Sequence, residues 1–183
     1  MGAGLSARYR GVVCIGAYNS RVEIFCELLA IECKYLVLIV PKKSPTDEFT
    51  PGTIVLEGCG SVDGSLRSCF DIIETLNIDV DLCVVVPLGL TEHCDVSRLF
   101  YHSYVCTAFA VLSEYSSGSQ VVFSQLEPEL WLANCGLVGL LKCVKVEQPN
   151  LNVWIANGVG YLVGFRNYRA AHFVCNLMVR SGL

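Results

Sequence analysis

The sequence predicts an α/β fold: a doubly wound, mostly parallel sheet of about six strands with helices on both faces. Two observations predict it. Short apolar runs of strand length alternate with segments whose apolar residues recur at helical spacing. The runs are continuously apolar rather than alternating, as expected of strands buried on both faces of a parallel sheet. At 183 residues, 53% hydrophobic and only 16% charged, the chain can bury a substantial core and is too apolar to be disordered.

The elements follow in order. Gly11–Gly16 (GVVCIG) is the first strand. Arg21–Cys33 is a helix, with Val22, Phe25, Leu28 and Leu29 on its apolar face. Tyr35–Val40 is a second strand stopped by Pro41, and the polar stretch Lys42–Pro51, with two prolines, is a loop. Thr53–Glu57 is a third strand, broken by Gly58 and Gly60. Asp63 or Ser65 caps a helix carrying Leu66, Cys69, Phe70, Ile73 and Leu76. Asp81–Pro87 is a fourth strand. Thr91 caps a long helix reaching about Ser113, with Glu92 and Asp95 in its first turn. Gln120–Ser124 is the fifth strand, and Glu129–Val146 a helix with Leu130, Ala133, Leu137, Leu140, Leu141 and Val144 on one face. Leu151–Asn157 is the sixth strand, and Asn167 caps a last helix to about Arg180. Residues 1–10 are expected to be an N-terminal arm and 11–183 a single Rossmann-like domain. In such a sheet a ligand crevice lies outside the carboxyl ends of the strands.

Composition removes several function classes. A net charge of −4, with no stripe of Lys and Arg, argues against nucleic-acid binding. No apolar run approaches the roughly 18–20 residues that span a bilayer, and there is no secretory h-region, so a cytoplasmic protein is expected. The eleven cysteines are odd in number and never in CxxC spacing. Cys14, Cys26, Cys69, Cys83, Cys106, Cys143 and Cys175 lie in apolar segments and read as reduced core residues. His93 and Cys94 are adjacent and have no partner pair at ligand spacing, so no metal site is expected. No hydrolase or P-loop motif is present.

Order and spacing over roughly residues 11–165 resemble the short-chain dehydrogenase/reductase family. The stretch Trp131–Val153 also resembles ketoreductase and pseudo-ketoreductase domains of fatty acid and polyketide synthases. The resemblance implies a glycine-rich turn after the first strand. Gly16 matches its first glycine, but Ser20 and Val22 occupy the other two positions. It implies candidate dinucleotide contacts from Gly16, Arg21, Lys42, Lys43 and Ser124, with the lysine pair favouring NADP if any cofactor binds. Cys59 stands at the family's aspartate position near the adenine, with Asp63 a few residues on.

The resemblance further implies a catalytic tyrosine and lysine, at whose positions stand Trp131 and Cys135. Indole does not donate a proton near neutral pH, and cysteine supplies no cation. Ser124 is the nearest candidate for the family's serine, and Tyr104 stands near its helix asparagine. The chain is expected to lack the family's final strand. The expectation is therefore a non-catalytic scaffold without catalytic residues or cofactor, acting through a protein partner or as a homo-oligomer. Phe100, Tyr101, Tyr104, Leu130 and Trp131 are its candidate interface residues, because the matching helices pack against a second subunit in the family. The alternative is an NADP-binding reductase or cofactor sensor in which Tyr161 or Tyr104 replaces the lost acid. Met1–Ser6 also fits the N-myristoylation pattern at Gly2, with Arg8 and Arg10 available to an anionic leaflet, so peripheral membrane docking is a third expectation.

Overall fold

The computed structural model describes residues 7–16, 20–41, 49–58, 63–86, 120–124, 139, 142–143, 146–147, 152–157, 160–163 and 169–181. Seven strands form one sheet: β1 (Tyr9–Gly16), β2 (Cys33–Val40), β3 (Ile54–Glu57), β4 (Leu82–Val86), β5 (Gln120–Ser124), β6 (Asn152–Asn157) and β7 (Gly160–Val163). Their order is β3-β2-β1-β4-β5-β6-β7. All neighbours are parallel except β6 and β7, which are antiparallel. The order reverses at β1, so the sheet is doubly wound as expected.

β7 adds a seventh strand to the about six expected. Only residues 158–159 separate it from β6, with Asn157 paired to Gly160. A return that short makes a hairpin rather than a crossover. Four residues flanked by glycine carry too little periodicity to be recognised from sequence.

Helices α1 (Ser20–Glu32), α2 (Asp63–Thr75) and α3 (Arg169–Ser181) cover the sheet. Strand alternation sorts the core into two layers. Val12, Cys14, Leu36, Leu38, Val40, Leu82, Val84, Val86 and Trp154 pack with Val22, Phe25, Cys26 and Leu29 of α1 and Phe173, Val174, Leu177 and Met178 of α3. The alternate residues Val13, Ile15, Val37, Ile39, Cys83 and Val85 are just as fully buried, so both faces of the sheet are covered. α2 lies on this second face, where a Cβ on Gly58 would meet both Cys69 Sγ at 2.5 Å and Ile39 Cγ2 at 3.0 Å.

Most expected faces hold. Val22, Phe25 and Leu29 are buried and Leu28 half-buried. Leu66, Cys69, Phe70 and Ile73 are buried, but Leu76 lies beyond the end of α2 and is exposed. Cys33 begins β2, opposite Tyr9, instead of ending α1, because strand pairing takes it. β1 begins at Tyr9, two residues earlier than its glycine suggests.

Cys143 corrects the core assignment of the cysteines. It is exposed, while Cys14, Cys26, Cys33, Cys69, Cys83 and Cys175 are buried free thiols. Residues 139, 142, 143, 146 and 147 are helical and all exposed, a spacing that marks one outward stripe. Cys106 lies outside the described residues.

The amino edge of the sheet is clasped by charge. Arg10 Nη1 is 2.7 Å from Asp79 Oδ2, Arg10 Nη2 is 2.7 Å from Asp81 Oδ1, and the Arg10 backbone N–H donates to Asp81 Oδ2. Arg8 lies 4.5 Å from the Phe173 ring centroid, and the Tyr9 and Phe173 rings meet tilted at 45° with centroids 5.4 Å apart. Arg10 is therefore engaged by two carboxylates. Among the described residues no helix is long and apolar enough to cross a membrane.

Candidate functional site

The strand order reverses between β1 and β4, and the crevice of a doubly wound sheet lies at that point, outside the carboxyl ends. Gly16 ends β1 and is the register partner of Val86, which ends β4. A Cβ on Gly16 would collide with the Val86 carbonyl oxygen and sit 3.2 Å from its carbonyl carbon. Glycine is thus required here by the neighbouring strand, whatever the crevice holds.

On the β2 side, the β3 end is closed by α2. The Gly58 backbone N–H donates to the Val40 carbonyl at 2.8 Å, and the Cys69 thiol donates to the Glu57 carbonyl at 3.5 Å. Burial pushes the Cys69 thiol up, so it stays a neutral donor. Asp63 is the first residue of α2, and Cys59 lies outside the described residues.

The start of α1 departs most from a dinucleotide cradle. Where a glycine lets helix and strand pack closely, Val22 puts its side chain fully into the core beneath α1. Arg21 is in the first turn of α1, but its side chain, residues 17–19, Lys42 and Lys43 lie outside the described part. Pro41 is exposed at the end of β2. Among the described residues at this turn, Gly16 has a steric reason of its own and Val22 is core.

On the β4 side, Ser124 ends β5 and pairs with Ala156, which pairs with Tyr161. The backbones of Ser124 and Tyr161 therefore share one row near the carboxyl edge, two strand spacings or about 10 Å apart. Asn157, the last residue of β6, stands one residue beyond that row. Sequence reading passed over Asn157, although a polar residue ending a buried strand is a usable signal for this edge. Phe100, Tyr101, Tyr104, Leu130, Trp131, Cys135 and Gly2 lie outside the described residues.

Burial raises every thiol pKa that clearly departs from normal. Cys14 is pushed up by a hydrogen bond with Cys26 and by complete burial, and Cys33 is pushed up to about 11 by burial. Neither is poised as a nucleophile. Among the described residues no group of three His, Cys, Asp or Glu could hold a metal ion.

Solved structures place this geometry. The chain resembles a short-chain dehydrogenase/reductase from Brucella melitensis described as a glucose/ribitol dehydrogenase, with TM-score 0.64, 13% identity and coverage of 84% of this chain and 76% of that one. A short-chain dehydrogenase from Burkholderia cenocepacia in complex with NADP gives TM-score 0.63 at 10% identity, covering 83% and 73%. A short-chain dehydrogenase from Leptospira borgpetersenii with bound NAD+ gives 0.59 at 9%, covering 82% and 70%. No protein-family model and no curated protein sequence matches the chain. At these identities the likeness defines the class by fold: this chain has the short-chain dehydrogenase/reductase fold.

Proposed function

We propose that this chain keeps the reductase fold as a non-catalytic scaffold and works through protein contacts. One observation carries the proposal: at the start of α1 the core-buried Val22 occupies the place where a dinucleotide site needs close helix–strand packing. The sequence adds that Trp131 and Cys135 stand where the fold's reductases, by resemblance, carry a tyrosine and a lysine. The exposed stripe of Lys142, Cys143, Val146 and Glu147 offers a contact surface, with Val146 83% exposed. Self-association through that helix should be lost in Val146→Asp. Calorimetric and thermal-shift titration with NADPH and NADH tests the scaffold reading. A dinucleotide at 100 times its Kd would stabilise the fold by about 2.7 kcal/mol. Neither heat nor stabilisation is expected, and clear binding of either cofactor refutes the proposal.

A second reading has its own support. Ser124 and Tyr161 share a row near the carboxyl edge, so Tyr161 is a better placed replacement acid than its sequence position suggests. An NADP-dependent reductase built this way would lose turnover of carbonyl compounds in Tyr161→Phe while keeping NADPH affinity. Affinity unchanged and turnover unchanged would dispose of it.

A further inference from the structure

α1 and α3 pack side by side over one face of the sheet, and among the described side chains their outward surfaces carry opposite charge. α1 presents Glu27 exposed, with Glu23 and Glu32 half-exposed. α3 presents Arg169, His172 and Arg180 and contains no carboxylate. None of the three glutamates or two arginines forms a salt bridge among the described residues. Between the charges stand apolar side chains that a solvated surface does not need. Ile24 is 44% exposed, Ile31 77% and Val179 60%. α1 accordingly carries apolar side chains on its outward side as well as on its buried one.

The two helices run in opposite directions. α1 leads from the carboxyl edge into β2 at the amino edge. β7 runs back to the amino edge, and Phe173 in the early turns of α3 meets Tyr9 there, so α3 returns toward the carboxyl edge. Ile24 and Val179 thus stand near one end of the face, and Ile31 and Arg169 near the other.

We propose that this face is an interface for a second copy of the chain, related by a two-fold axis parallel to the helices, so that α1 of each copy lies on α3 of the other. That axis preserves height along the helices. It sets Glu23 beside the partner's Arg180, Ile24 against the partner's Val179, and Glu32 beside the partner's Arg169, each contact occurring twice. The other in-plane two-fold would stack α1 on α1 and oppose carboxylate to carboxylate, which disfavours it. Each helix of 13 residues is about 20 Å long. The face is at the small end of interface sizes, so affinity is expected in the micromolar range. The proposal stands whether or not a cofactor binds.

Sedimentation velocity of the full chain over a concentration series, at low and high salt, is the test. The wild type should dimerise in the micromolar range and more weakly at high salt. Arg180→Glu and Glu23→Arg should each raise Kd about tenfold, since every reversal places two like-charged pairs in contact. The double variant should return toward wild type, because the swapped charges meet again. These positions lie outside the core, and circular dichroism checks that the variants fold. A monomeric wild type, a double variant no better than the singles, or a dimer broken by Val146→Asp yet indifferent to Arg180→Glu would each overturn the proposal.

Discussion

Gly16→Ala isolates the demand the sheet makes on its switch point from any demand made by a ligand. The added Cβ meets the Val86 carbonyl oxygen far inside contact distance, with the Val86 carbonyl carbon at 3.2 Å and its Cβ at 3.3 Å. Two of these three are backbone atoms of a central strand whose five residues are all buried, so they cannot rotate away. Relief requires β1 and β4 to separate at their carboxyl ends. Overpacking of this kind costs typically 1–3 kcal/mol, and the unyielding backbone places Gly16→Ala at about 2–3 kcal/mol. For a domain of this length that is a fall in Tm of roughly 4–12 °C. Urea denaturation of the cofactor-free protein, followed by circular dichroism, is the assay. The midpoint should drop with little change in slope. An unchanged midpoint would refute the steric account and return Gly16 to a purely ligand-binding role.

In the native protein a thiol reagent should modify Cys143 quickly and Cys14, Cys26, Cys33, Cys69, Cys83 and Cys175 only on unfolding, because burial withholds all six, and at Cys14, Cys33 and Cys69 a raised pKa also withholds the thiolate. Peptide mass mapping reads this directly. Burial pushes the Asp81 carboxyl up, but hydrogen bonds from the Arg10 side chain and backbone outweigh it and leave Asp81 below its ordinary range. A depressed carboxylate stabilises the fold fully above its unfolded value. That stability is lost as pH falls below about 4 toward the lower folded value. Asp81→Asn should therefore destabilise the protein at neutral pH and flatten this acid limb, and parallel curves for both proteins would contradict it. Leu29→Ala, which empties a fully buried site in the core beneath α1, should cost about 2–5 kcal/mol in the same denaturation assay.

Much of the fold could be read from local pattern. Runs such as Leu36–Val40 and Leu82–Val86 are apolar at every position because both faces of each strand are covered, and that leaves an unbroken signal in sequence. α2 and its buried Leu66, Cys69, Phe70 and Ile73 were legible for the complementary reason, since one face is wet and the period shows. β7 was not legible: four residues give no period, and the hairpin direction comes from a two-residue return that only pairing with β6 reveals. Cys143 misled because an apolar neighbourhood in sequence says nothing about which way one helical position faces.

The site divides along the same line. Sequence by itself determined which chemical groups exist, among them Gly16, Val22, Ser124, Trp131 and Cys135. Tertiary structure decided what those groups do. It made Gly16 a steric requirement of Val86, turned Val22 into core, brought Ser124 and Tyr161 onto one row, and joined Arg10 to Asp79 and Asp81 across some seventy residues of chain. The reason is physical. Side-chain chemistry is local and travels with the residue, whereas clash, burial and charge pairing act between atoms that only the folded sheet brings together.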